Sequence, residues 1–283
     1  MRVFLNITLG TLLVIVSRFL PADLVSAFVS GGIILVAAVF VVDLPLYLVE
    51  RWKYVRFDII VLMLSLVGQK IRFSMAYQFR IRIDGEYLLV KNSNFDWFQL
   101  VGGKYKRFPQ ADRVFDDLKI SYDTRLGSSK QRKDDLAVFV PAKSVKKFLR
   151  WFESSHDREV NHQREFYEEL VAGKTKFPQL NGELFGILRY RFIGTVRTPI
   201  RRSPADSGWN CWECHYYDVL EPVFTPEQEV ALGAIRALGD TEYVKWAKQA
   251  LIETCGFNPA TESTPYRIGI HTKWVINQKW SKE

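Results

Sequence analysis

Asp157–Val171 reads DREVNHQREFYEELV, a stretch of helix-forming composition with no breaker before Gly173. Within it Glu165, Glu168 and Glu169 stand at i, i+3 and i+4, so a helix places them on one face within reach of one another. Three carboxylates on one face repel unless positive charge sits among them. Hard divalent cations with oxygen ligands do that work, and Mg²⁺ (or Mn²⁺) is the cofactor such a face implies. Arg164 is placed to orient Glu165 by a charge-assisted pair, and Phe166 and Leu170 fall on the opposite, buried side. The plainer reading is a solvated acidic helix face. Spacing alone leaves both open.

Outward from this stretch the pattern is mixed. On the N-terminal side, Met75–Ile83 and Glu86–Lys91 flank Asp84-Gly85, a hairpin signal. Phe95–Val101 runs into Gly102-Gly103. A polar stretch follows through Lys133, with a loop expected at Gly127–Lys130. Leu136–Val140 reads as a strand and Ser144–Glu153 as a helix. On the C-terminal side, Leu184–Ile193 and Trp212–Leu220 read as strands joined by a Pro/Ser/Arg-rich loop. Thr225-Pro226-Glu227-Gln228 opens a helix to about Leu238 with a capping box. Thr241 caps a further helix through Thr254, and Tyr266–Ile276 reads as a strand. Arg189, Arg191, Arg201 and Arg202 crowd one strand and loop. They are candidates for binding ligand phosphates, with Tyr190 or Trp209 stacking on a base. A solvated basic edge explains them equally.

The first quarter is different in kind. Val3–Ser17 and Leu24–Val42 are uncharged, and the second covers roughly 28 Å at about 1.5 Å per residue, close to a hydrocarbon core. Arg18–Asp23, with Pro21, reads as a tight turn between two membrane helices. Arg51, Lys53 and Arg56 follow the second run, so both chain ends are expected in the cytoplasm. The expected organisation is two transmembrane helices in residues 1–43, a juxtamembrane connector in 44–69 and a cytoplasmic domain in 70–283. Ile59–Val67 is too short to span and reads as an interfacial helix or one packed on that domain.

Composition excludes a disordered chain, at 48% hydrophobic and 25% charged, and three cysteines in 283 residues exclude a disulfide scaffold. Thirty-nine basic against 31 acidic residues give +8, which suits anionic lipid or an anionic ligand. Cys211-Trp-Glu-Cys214-His215 matches C-x-x-C-H in form. In a cytoplasmic domain it reads as reduced strand cysteines rather than a haem or zinc site.

Arg164-Glu165-Phe166-Tyr167-Glu168-Glu169 resembles the second half of the Nudix hydrolase box, G-x5-E-x7-R-E-U-x-E-E-x-G-U, where U is bulky and apolar. Gly102-Gly103 at a strand end matches its leading glycine. The departures are sixty residues between Gly103 and Arg164, His156 where the box has its first Glu, and Val171 in place of its last Gly. Together with IRFSMAYQFRIRIDGEYLLVKN, FQLVGG, DLAVFVP, FLRWFES and DVLEPVFTPEQE, they make the chain similar to the SMODS-associated Nudix domain of bacterial cyclic-oligonucleotide antiphage signalling (CBASS).

The resemblance implies a two-helix N-terminal transmembrane hairpin plus an α+β (α/β/α sandwich) Nudix-like domain. It carries the metal and catalytic roles to Glu165, Glu168 and Glu169, and a backbone-carbonyl ligand to Gly102 or Gly103. It also implies a multi-pass inner-membrane effector, oligomeric when active and switched on by a cyclic oligonucleotide. A nucleotidyltransferase encoded nearby would make that signal. The competing expectation is a constitutive membrane-tethered Nudix hydrolase of a nucleoside diphosphate derivative.

Overall fold

A computed structural model describes residues 44–126, 134–173, 177–204 and 209–281, together with Val25 and Val29. The two expected membrane helices, like the Gly127–Lys130 loop, lie outside the described residues. No helix among the described residues is long and apolar enough to cross a membrane. The chain divides into two units, residues 1–61 and 62–283. The connector is helical: α1 runs over Leu44–Leu66 and is interrupted by charges at Glu50, Arg51, Lys53, Arg56 and Asp58.

The second unit is an α+β domain built on β1 (Lys70–Phe79), in which every residue but Lys70 is buried. Asp84-Gly85 makes the expected turn between β2 (Arg82–Ile83) and β3 (Glu86–Lys91), and β4 is Phe98–Lys104. The long insertion folds into α2 (Asp112–Leu118), β5 (Ser121–Tyr122), β6 (Ala137–Pro141) and α3 (Val145–Ser154). α3 buries Val145, Phe148, Trp151 and Phe152 on one face, as its period requires. After α4 (Gln163–Phe166) come α5 (Gly182–Phe185), β7 (Arg189–Arg197), β8 (Arg201–Arg202) and β9 (Trp212–Val223). The chain closes with α6 (Pro226–Leu238), β10 (Val244–Lys248), α7 (Gln249–Glu253) and α8 (Ile270–Asn277).

β1 organises the sheet. One edge pairs in parallel with β9 from Ile71 to Phe79. The other is shared antiparallel between β6, along Lys70–Ser74, and β4, along Ala76–Phe79. Every other strand pairing is antiparallel.

Four local expectations need correction. Asp157–His162 is not helical: Asp157 has φ +57° and Arg158 forms an isolated bridge to Arg107, so α4 starts only at Gln163. Leu184–Ile193 begins as helix rather than strand, because the Asn181 side chain accepts the Leu184 N–H and caps α5. Val244–Lys248 is strand rather than helix. The Thr241 hydroxyl caps only a turn at Tyr243 and Val244, and pairing with β3 overrides helical composition. Tyr266–Ile276 ends in helix α8 rather than strand: Trp274, Val275 and Ile276 are buried in succession, a pattern that alternation cannot satisfy. The capping box at Thr225 and Gln228 forms as the sequence requires.

Candidate functional site

α4 does not continue as an α-helix. Tyr167–Val171 is a π-helical turn, closed by the Ala172 N–H donating to the Tyr167 carbonyl at 2.8 Å. π turns change the angular spacing of side chains and recur at functional sites. The three glutamates accordingly separate. Glu165 and Glu169 point inward, while the Glu168 side chain is 57% exposed.

Two glycines admit the inward pair. Gly102 has φ +149°, and a Cβ there would strike the Tyr77 backbone carbonyl. Its N–H donates to Glu169 Oε2 at 2.9 Å. The space a side chain at Gly103 would take is filled by the Glu165 carboxylate.

Arg164 ties the cluster together. Its Nη1 lies 2.7 Å from Glu165 Oε1 and 3.2 Å from Glu168 Oε2. Its Nε donates to Glu159 Oε1 at 2.8 Å, and its Nη2 to Glu159 Oε2 at 3.1 Å and to the Lys104 carbonyl at 2.9 Å. Burial works against the guanidinium charge, but Glu159 and Glu165 outweigh it and hold the proton firmly. Burial raises the Glu165 carboxyl above its ordinary value against the pull of Arg164. Burial and then the Glu165 charge push Glu169 well above its ordinary value, against the Gly102 N–H.

Glu159 was not foreseen. It is buried, also accepts from the Lys106 N–H, and supplies the acid that His156 does not. It stands five residues before Arg164, and the insertion removes spacing as a guide to it. Gly173, the breaker that closes the stretch in the sequence, ends the turn. A Cβ there would press on the Glu168 and Glu169 carbonyls, so this glycine permits the tight exit that Val171 does not mark.

The donor set suits a hard cation: Glu165 and Glu169 are half-buried carboxylates that repel one another. As the side chains stand, no group of three or more His, Cys, Asp or Glu among the described residues is arranged to hold a metal ion. Glu168 is turned to Arg164 rather than toward the other two.

His162 leads into α4 and is a neutral hub. Burial, then Arg158, lowers it to about 4. Tyr105 donates to Asp218 Oδ2 at 2.5 Å, which leaves its oxygen to accept from His162 Nε2 at 2.7 Å; His162 Nδ1 accepts from Tyr190 at 3.0 Å. Tyr190, named from the sequence as a candidate for base stacking, is placed against His162 and supports α4 from β7.

The carboxylates open onto a cavity of about 1650 Å³. Its floor is one face of the parallel pair, where Arg72, Ser74 and Ala76 of β1 stand beside Glu213, His215 and Tyr217 of β9. Glu213 lies 3.8 Å from Arg72, 3.5 Å from Arg201 and 3.3 Å from His215. Arg72 also donates to Asp123 at 2.6 Å and stacks over Trp209 at 4.2 Å. Beyond His215, the rings of Tyr217 and His271 continue the stack, and Trp97 meets His271 edge-on.

The four candidate arginines are dispersed rather than gathered. Arg201 lines the cavity, and Arg202 stacks on Trp212 and reaches Asn210. Arg191 is exposed and pairs with Glu221 at 2.7 Å, and Arg189 is exposed on β7 opposite Val223. Cys211 and Cys214 do not share a ligand site: Arg125 approaches the first, and the second donates to the Thr198 carbonyl. Burial pushes the Cys214 thiol up to about 12.

Neither the curated proteins nor the solved structures compared with this chain contain a match. The SMODS-associated NUDIX domain family matches residues 70–276, which takes in β1, both glycines, the insertion, the carboxylate turn and the cavity floor. The chain therefore belongs to the SMODS-associated NUDIX family, and its second unit is a Nudix domain of the CBASS-associated kind.

Proposed function

We propose that the chain is a membrane-bound CBASS effector whose Nudix domain takes a cyclic oligonucleotide into the cavity and answers with membrane or nucleotide damage and abortive infection. The observation that carries this reading is the cavity itself. At about 1650 Å³ it exceeds the roughly 300–1,000 Å³ of ordinary small-molecule pockets, and it joins carboxylates, guanidiniums and stacked rings in one space. Family membership supports the CBASS connection. The uncharged runs Val3–Ser17 and Leu24–Val42 support anchoring in the inner membrane with the domain in the cytoplasm. Assembly into a homo-oligomer on ligand binding and a nucleotidyltransferase encoded nearby belong to the same reading.

Within the site, Glu165 and Glu169 would hold Mg²⁺ or Mn²⁺ with a carbonyl of Gly102 or Gly103, and Glu168 would join on leaving Arg164. When bound, the cation supplies Lewis-acid charge at a phosphate oxygen. The chain's own residues set the geometry. Arg164 fixes Glu165 against Glu159, the Gly102 N–H fixes Glu169, and His162 anchors the start of α4.

The half-buried carboxylate pair favours a second reading, a constitutive membrane-tethered hydrolase of a nucleoside diphosphate derivative. One experiment separates the two. The full chain is expressed alone and with synthases of different cyclic oligonucleotides. The effector is tolerated alone and toxic with its cognate signal. Health under every signal, with turnover of nucleoside diphosphate substrates by the purified protein, establishes the hydrolase instead.

A further inference from the structure

Arg72 is 2% exposed, lines the cavity, and its Nη1 has no hydrogen-bond partner. Its Nε is committed to Asp123, while the nearest carboxylate to Nη1 is that of Glu213 at 3.8 Å, beyond hydrogen-bond reach. A buried guanidinium nitrogen left unmet is costly, and folded proteins rarely keep one without a use. Among the described residues, the guanidiniums of Arg72, Arg125 and Arg201 gather here around the carboxylates of Asp123 and Glu213. The nearby histidine adds no positive charge at neutral pH, because burial lowers His215 below its ordinary value. The group that completes this corner is an anion whose oxygens accept from Arg72, and phosphate is the form that guanidinium geometry favours.

Position decides what kind of phosphate. Gln78 stands opposite Gly102 in the β1–β4 register, so it marks the carboxylate end of the floor. Arg72 lies six residues earlier on the same strand face, roughly 20 Å away at about 3.3 Å per residue. The two phosphorus atoms of a nucleoside diphosphate share a bridging oxygen and cannot serve both ends. Phosphates separated by nucleosides can, and the ring row of His215, Tyr217 and His271 lies along the floor between the two ends.

We infer that the Arg72 corner is a remote phosphate subsite, and that the ligand spanning the floor is an oligonucleotide with separated phosphodiesters rather than a nucleoside diphosphate. This rests on the nucleotide reading of the cavity and sharpens it.

The test uses the purified full chain in detergent, with cyclic di-AMP, cyclic GMP–AMP, cyclic tri-AMP and ADP-ribose as calorimetric probes. Because Arg72→Gln also strips Asp123 of a partner, Arg201→Gln serves as a second variant, with melting curves to confirm folding. The cyclic oligonucleotide that binds is expected to weaken about tenfold in each variant, roughly 1.4 kcal/mol. ADP-ribose, if it binds, should hold within about twofold. Unchanged cyclic-oligonucleotide binding in both folded variants overturns the subsite and leaves the cavity reading standing. Loss of ADP-ribose binding equal to that of the cyclic probe also overturns it, by merging the corner with one compact diphosphate site. Binding of no probe at all removes the nucleotide reading and the subsite together.

Discussion

The two ends of the cavity handle charge as mirror images. At one end a single guanidinium, Arg164, serves three carboxylates, Glu159, Glu165 and Glu168. At the other two carboxylates, Asp123 and Glu213, stand among Arg72, Arg125 and Arg201. Carboxylates crowd the first end, where we propose a cation, and at the second the Arg72 Nη1 lacks an acceptor, where we propose an anion. A ligand whose phosphates meet a metal at one end and guanidiniums at the other completes both.

Removing the hub of the acidic end should break that mirror most severely. Arg164→Ala leaves the buried Glu159 and the half-buried Glu165 without their guanidinium, which should cost about 3 kcal/mol, the low end for a broken buried pair. Urea unfolding of the purified chain measures it. A loss under about 1 kcal/mol would mean that the carboxylates do not depend on Arg164 and that the mirror image is only apparent.

Gly102→Ala comes next, at about 2 kcal/mol, because the backbone there has φ +149° and the Tyr77 carbonyl cannot yield to a Cβ. Gly103→Ala meets a side chain instead and should cost less stability. It should nevertheless abolish Mn²⁺ binding, followed by electron paramagnetic resonance, because Glu165 must vacate its place. Equal stability losses in the two variants would show that the glycines do one job rather than two.

The ends should also respond to pH with opposite sign. Glu169 is raised above its ordinary value chiefly by burial, then by Glu165, so the folded state holds this proton more tightly than the unfolded chain. Its contribution is full below the unfolded value and is lost as pH rises through the folded one. Glu213 is lowered: burial opposes this, but the His215 hydrogen bond and the charges of His215, Arg72 and Arg201 prevail. Its contribution is present above the unfolded value and is lost as pH falls through the folded one. Unfolding free energies in EDTA should therefore lose their decline above about pH 5 in Glu169→Gln, and their acid-side decline below about pH 4 in Glu213→Gln. The same pH trend in both variants would contradict the mirrored charges.

The sequence made these two ends unequally legible. Arg164, Glu165 and Glu169 follow one another within six residues, and local spacing brought them to notice together. The leading glycines were found because a strand-like run ends on them. What spacing could not show is the π turn, which turns Glu168 outward, and Glu159, whose place depends on how an insertion folds. The Arg72 end was invisible for a different reason. Arg72, Asp123 and Glu213 come from β1, the segment after β5 and β9, and only the parallel β1–β9 register gathers them. Among the arginines singled out by crowding, Arg201 alone reaches the cavity, because alternation along β8 sends Arg202 the other way. Errors of element type ran both ways: Val244–Lys248 had helical composition but a β3 edge to complete, whereas Leu184 and Trp274–Ile276 read as strand and fold as helix.

The smallest expected effect concerns the floor between the ends, and its sign is the informative part. Gln78 is 4% exposed, lines the cavity, and its Oε1 has no hydrogen-bond partner. A buried acceptor in that state costs about 1–3 kcal/mol, and an apolar side chain of similar shape removes the cost. Gln78→Leu should therefore stabilise the unliganded protein, by about 1 kcal/mol once imperfect packing of the branched side chain is allowed for. Most substitutions of buried residues go the other way. The same change should weaken whichever cyclic oligonucleotide the wild-type chain binds, since a ligand donor would then meet a methyl group. Thermal melts and calorimetry on the same preparation check both halves. Stabilisation without loss of affinity would remove Gln78 from the ligand path. Destabilisation would show that its oxygen is already satisfied in solution, and the contrast would then rest on the two charged ends alone.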